Sequence, residues 1–167
     1  MASDEALMLE FQAGSRGAFD ELFARYRQPL FGYFRRRLAS RERAEELTQE
    51  TFLAVLRATR RYQPRALVRT YLYAIAIRLL AAERRRTPAA DAPGDPPCDP
   101  RNDETLWVRQ ALGRLNPLER EILMLREYED LSYAEIADLL HLPLNTVRTR
   151  LFRARMALKG ALEARKP

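Results

Sequence analysis

The stretch LSYAEIADLLHLPLNTVRTRLFRAR, Leu131–Arg155, decides how the rest of the chain is read. Ser132-Tyr133-Ala134-Glu135 is a capping box, with a hydroxyl to close the first turn and a carboxylate three residues on to reach back. Tyr133, Ile136, Ala137 and Leu140 follow at i, i+3, i+4 and i+7, the apolar face of a short helix. His141-Leu142-Pro143 breaks it, and a second helix is expected from about Leu144 to Ala164. Two helices joined so tightly form a helix-turn-helix. With Arg148 at 0° and an advance of 100° per residue, Leu144, Val147, Leu151, Ala154 and Leu158 fall between about 240° and 320°. That stripe is expected to pack inward. Asn145, Arg148, Thr149, Phe152 and Arg153 fall between about 0° and 140°, with Arg150 and Arg155 on the flanks. A merely solvated face has no use for Phe152 opposite its own core stripe. A base-reading face does: Arg donates to guanine edges, and Thr or Phe contacts thymine methyl groups. Flanking arginines position such a helix through phosphates. The bland alternative is a basic surface that meets RNA or a protein.

The chain before this motif reads as helix on both sides of one break. In residues 105–131, Leu106, Trp107, Ala111 and Leu112 mark a helix. Asn116-Pro117-Leu118-Glu119 then starts another, which runs through Glu127. Towards the N-terminus, a short helix covers Asp4–Gln12 and stops at Gly14. Ser15 caps a second helix, with Phe19, Leu22, Phe23, Tyr26, Leu30, Tyr33, Phe34 and Leu38 in helical period. Pro29 is expected to kink or divide it. Ser40 caps a third helix, with Ala44, Leu47, Thr51, Val55 and Ala58 on one stripe, and Pro64 ends that run. A fourth spans about Ala66–Arg86, with Val68, Leu72, Ile75, Ala76 and Leu79 inward. The break holds five of the ten prolines between Thr87 and Pro100, a density no helix or central strand survives. The expected fold is therefore all-α: a helical bundle at 1–87, an extended linker at 88–104 and a helix-turn-helix domain at 105–167.

Charge follows the same division. Residues 1–87 carry 17 Lys/Arg against 10 Asp/Glu, residues 88–104 carry 1 against 5, and residues 142–167 carry 7 against 1. The whole chain of 167 residues is +6, which favours polyanionic partners. One cysteine, Cys98, allows no internal disulfide, and with one histidine, His141, it builds no structural zinc site. No Gly-rich phosphate loop, paired metal ligands or nucleophile with a histidine base is visible, so neither catalysis nor a cofactor is expected. No long apolar run follows the acidic N-terminus, so neither a secretory signal nor membrane insertion is expected, and the cytoplasm is the default location.

Leu131–Ala137 followed by Leu142–Arg155 resembles the C-terminal signature of bacterial extracytoplasmic-function (ECF) sigma factors, the small group of the sigma-70 family. Ala44–Leu53 resembles their polymerase-binding helix, and Tyr71–Ala76 their promoter-melting helix. The resemblance covers nearly the whole chain in the right order. It implies a protein that binds core RNA polymerase and directs it to a promoter. The first domain would grip the clamp helices of the largest subunit and open the downstream element. The second would bind the flap of the second-largest subunit and read the upstream element. The acidic linker would thread the channel of the nascent RNA, with Asp91, Asp95, Asp99 and Asp103 mimicking its charge. Many relatives are held by an anti-sigma factor, so one is a candidate partner.

The resemblance also implies residue roles. Arg148, Thr149, Phe152 and Arg153 match the upstream-element readers, with Asn145, Arg150 and Arg155 beside them. Leu47, Gln49, Glu50, Phe52 and Leu56 match the clamp-binding surface; Phe52 and Leu56 lie off the Leu47/Val55 stripe. Tyr62 and Gln63, with the loop to Thr70, match the segment that captures an unpaired base. Tyr71, Tyr73 and Arg78 fall in the melting helix, and Arg84 and Arg85 at its basic end could follow phosphates or simply be solvated. Tyr71 also lies near the inward stripe, which leaves core and base contact both open. Three positions depart from the usual pattern: Tyr71 replaces Trp, Arg78 replaces Asn and Ala82 replaces Asp. The alternative from another class is a helix-turn-helix regulator that works without polymerase, which would ordinarily bring a dimerisation or ligand domain.

Overall fold

Serine hydroxyls open four of the helices. Ser3, Ser15, Ser40 and Ser132 each accept from the backbone N–H three residues on, at 3.1, 3.3, 3.1 and 3.1 Å. Each satisfies a donor that the first helical turn leaves without a partner. Asn116 does the same for Leu118 and Glu119, ahead of Pro117 at the first helical position. In the computed structural model, residues 1–88 and 103–164 are described. Among them run α1 (Asp4–Gln12), α2 (Arg16–Arg35), α3 (Arg41–Ala58), a 3₁₀ turn (Thr59–Arg61), α4 (Val68–Arg86), α5 (Asp103–Gly113), α6 (Pro117–Glu127), α7 (Tyr133–Leu140) and α8 (Leu144–Glu163). The described residues are all-α and fall into two compact units, residues 1–88 and residues 103–164.

The first unit is a four-helix bundle. Leu30, Tyr33, Phe34, Leu38, Leu47, Leu72, Tyr73 and Ala76 are fully or almost fully buried, and α1 adds Leu7 and Met8. Pro29 does not divide α2, which is continuous from Arg16 to Arg35. The turns on either side are pinned by buried Tyr26, Leu30, Tyr33 and Phe34, so the helix tolerates the missing donor. Two polar braces add to the packing. Asp4 of α1 accepts from Arg25 at 2.7 Å and from the Tyr26 hydroxyl. Glu83 of α4, almost buried, accepts from Arg43 of α3 at 2.7 Å and from Arg86 at 3.0 Å. The Arg43 hydrogen bond holds the Glu83 carboxyl below the usual range, although desolvation opposes it.

The second unit packs α8 against α6 and α7 around Ile122, Leu125, Leu131, Ile136, Val147, Leu151 and Ala154. The expected linker 88–104 lies largely outside the described residues; its end is trimmed, because α5 already starts at Asp103. Leu144, expected on the inward stripe, is exposed. It is the first residue of α8, directly after Pro143, and the covered stripe begins one turn later at Val147.

Candidate nucleic-acid interface

The turn before α8 is fixed by backbone chemistry. His141 takes a left-handed conformation, φ 55°, at the end of α7. Leu142 N–H donates to Ala137 O at 3.0 Å, which closes the break in three residues. The capping box of α7 is complete: Ser132 N–H donates to Glu135 Oε2 at 2.6 Å while Ser132 Oγ accepts from Glu135 N–H. With Val147, Leu151 and Ala154 turned into the core, Asn145, Arg148, Thr149, Phe152 and Arg153 are all exposed. Phe152 is 65% exposed, which no packing need of this unit explains.

The four arginines of this helix divide into two pairs. Arg150 Nη1 lies 3.3 Å from Glu119 Oε1, and Arg155 Nη2 lies 2.7 Å from Glu127 Oε1. Both glutamates belong to α6. The Glu127 hydrogen bond raises the Arg155 pKa further above its ordinary range. Arg148 and Arg153 are exposed and take part in none of these ion pairs. The flanking pair thus clamps α8 to α6, and the central pair keeps its donors for something outside the unit.

In the first unit, α3 and α4 enclose a cleft of about 470 Å³. Ala54 and Ala58 of α3 and Ile75 and Leu79 of α4 line it with apolar groups, and Tyr62, Gln63, Tyr71 and Arg78 bring the polar ones. Tyr62 is buried, its ring edge-on to Tyr71 at 5.2 Å, and its hydroxyl has no hydrogen-bond partner. Burial raises the pKa of both phenols, so both stay protonated donors at neutral pH. Tyr71 is half-buried and lines the cleft, so it is not wholly a core residue. Arg78 Nε folds back to Ala74 O at 3.3 Å. Arg61, directly before Tyr62 in the sequence, also lines this cleft.

Tyr73 does not belong to this surface. It is 2% exposed and packs against Tyr33 at 5.7 Å, because two residues along a helix turn the side chain by about 200° from Tyr71. Arg84 is half-buried and Arg85 exposed beyond it. On α3, Phe52 is also a core residue, 4% exposed, with its ring 4.8 Å from Phe23 and 6.2 Å from Phe19. The buried arc of α3 runs from Leu47 through Thr51 to Phe52, about 140° wide. A single stripe underestimates it because α3 is packed by α2 on one side and α4 on the other. Leu47 is fully buried as well, and Glu50 is half-buried beside Arg43 at 3.2 Å. The outer face keeps Gln49, Leu56 and Leu53. Leu53 was missed, yet the same helical arithmetic places it beside Gln49.

The basic exposed face of α8 and the aromatic cleft stand in separate helical units, and comparison with known proteins gives the class: a sigma factor of the sigma-70 family. Residues 22–88 match the Sigma-70 region 2 family, and residues 105–158 match Sigma-70, region 4. RNA polymerase sigma-H factor of Pseudomonas aeruginosa is 32% identical over 96% of this chain and 94% of its own length. ECF RNA polymerase sigma-E factor of Haemophilus influenzae is 30% identical over 96% of both. The solved structure of CnrH in complex with the cytosolic domain of CnrY superposes with a TM-score of 0.79, at 26% identity, over 99% of this chain and all of that one. The chain belongs to the ECF group of the sigma-70 family.

Proposed function

We propose that this chain binds core RNA polymerase and directs it to promoters with two spaced elements. Residues 105–167 read the upstream element with α8, and residues 1–87 open the downstream element and hold one of its unpaired bases. The observation that carries the reading is the division among the α8 arginines. Arg148 and Arg153 flank Thr149 and Phe152 on the exposed face, while Arg150 and Arg155 are spent on α6. That pattern suits a helix laid in a major groove, with two guanidinium groups left to meet guanine edges. Gln49, Leu53 and Leu56 form the face offered to the polymerase clamp.

The α3–α4 cleft is the base pocket of this reading. Tyr71, backed by the buried ring of Tyr62, supplies ring surface for stacking, and Gln63 and Arg78 supply donors. Where relatives place an amide, the Arg78 guanidinium donates and cannot accept, which favours a base with acceptors on its exposed edge. The chain acts in the cytoplasm, catalyses no reaction of its own and is held by an anti-sigma factor, as CnrH is bound by the cytosolic domain of CnrY. Among the described residues no helix is long and apolar enough to cross a membrane.

The test is run-off transcription with bacterial core polymerase and this chain on sheared genomic DNA. Transcripts should start downstream of one shared pair of sequence elements. Stoichiometric assembly with core but no transcript from any fragment refutes the proposal. Specific DNA binding without any assembly with core selects the polymerase-independent regulator instead.

A further inference from the structure

The loop Tyr62–Leu67, which borders the cleft and leads into α4, is gripped at both ends by one face of α1. At its start, Gln12 Nε2 donates both of its hydrogens, to Thr59 O and to Tyr62 O, each at 3.0 Å. At its end, Glu5 Oε1 accepts from Val68 N–H at 3.1 Å. Between them, Arg65 N–H donates to Gln63 O at 2.7 Å and closes a three-residue turn around Pro64. The sequence explains why an outside grip is needed. Leu67 stands at the N-cap of α4 and makes no side-chain cap, and the first turn of α4 has no acidic residue. Glu5, remote in sequence, supplies both the missing acceptor and the missing negative charge. Glu5 and Gln12 are seven residues apart, so they lie within about 20° of each other around α1 and about 10 Å apart along it. The helix that carries them is itself anchored by buried Leu7 and Met8 and by Asp4, which accepts from Arg25 and Tyr26.

We propose that α1 positions the downstream-element reader: Glu5 and Gln12 hold the two ends of the Tyr62–Leu67 loop in its base-accepting shape without touching DNA themselves. The proposal rests on the reading of the α3–α4 cleft as the base pocket. Both are positioning residues, because their partners are backbone groups of the loop and its flanks. Gln63 on that loop, and Tyr71 against which the buried Tyr62 ring packs, then meet the base in one geometry, so the preference for that base depends on α1.

The experiment uses the full chain with core polymerase and a promoter library randomised over the downstream element, with the upstream element constant. Gln12→Glu keeps the shape of the side chain but removes both donors and sets a carboxylate against two carbonyls. Glu5→Gln keeps the shape and the acceptor and removes only the charge; Glu5→Ala loses the acceptor as well. Gln12→Glu and Glu5→Ala should flatten the preference at the most selective downstream position by about two- to tenfold, the reach of one or two net hydrogen bonds. Glu5→Gln should retain it, and all three should bind an upstream-element duplex as the parent does. A uniform fall in transcription from every sequence, in step with a lower unfolding temperature, means that α1 is only a structural brace and overturns the proposal. Gln63→Ala separates the two readings. If it shifts the preference and Gln12→Glu does not, the α1 proposal fails and the base pocket stands. If neither shifts it, the pocket assignment falls and the α1 proposal with it.

Discussion

Arg148 and Arg153 differ from Arg150 and Arg155 in what they already hold, and substitution should separate them. Arg148→Ala or Arg153→Ala removes a bidentate donor, worth about 1–3 kcal/mol of discrimination, so binding to the cognate upstream element should fall about tenfold and choice should relax at one base pair. The unfolding temperature should not move. Arg150→Ala breaks a half-buried pair with Glu119, so it should lower the stability of the second unit and weaken binding to all sequences alike. Arg155→Ala should cost less, since its pair with Glu127 is about half exposed on both sides and such pairs contribute about 0–1 kcal/mol. Selection from a randomised duplex pool, with melting curves of the same variants, checks this. On α3 the contrast is between Phe52 and Leu56. Phe52→Ala empties a site between two rings and should destabilise the first unit by about 3–5 kcal/mol. Leu56→Ala should leave the melting curve in place and weaken assembly with core polymerase in a pull-down titration.

At the scale of elements, the contact between α3 and α4 shapes the cleft, and Glu83 is its polar fastening. Its carboxyl titrates below the usual range because Arg43 donates to it. The sign follows: the stabilisation is fully present above the unfolded value of about 4.3 and is lost as the pH falls through the lower folded value. Stability of the first unit should therefore hold down to about pH 5 and decline below about pH 4. In Glu83→Gln that acid-side slope should be shallower and the plateau lower by about 1–3 kcal/mol, as expected for losing a charged hydrogen bond. Urea titrations at stepped pH, followed by tyrosine fluorescence, read both changes. An equal slope in parent and variant assigns the acid loss to other carboxylates.

At the scale of the molecule, charge alternates along the sequence. A basic bundle and a basic recognition helix flank the acidic residues 88–104. Asp91, Asp95 and Asp99 lie outside the described residues, and the case for them is charge alone. Replacing these three with Asn should leave core assembly and promoter binding unchanged but alter the ratio of abortive to full-length transcripts. Asp103 is left in place because it opens α5. An unchanged ratio reduces the segment to a tether.

Much of this protein was legible before any coordinates. Helix starts follow from Ser15, Ser40, Asn116 and Ser132 because capping is a local event, settled within four residues. The exposed face of α8 follows from periodicity, because the unit covers that helix on one side only. Tertiary packing decided the rest. Phe52 and Tyr73 are aromatic and lie beside the matched motifs, yet helices on two sides of α3 and behind α4 bury them. The pairing of Arg150 with Glu119 crosses 31 residues, and the grip of Glu5 on Val68 crosses 63. Such partners are set by which helices the apolar stripes bring together. A local pattern names the face of a helix, but only the packed bundle determines what stands against it.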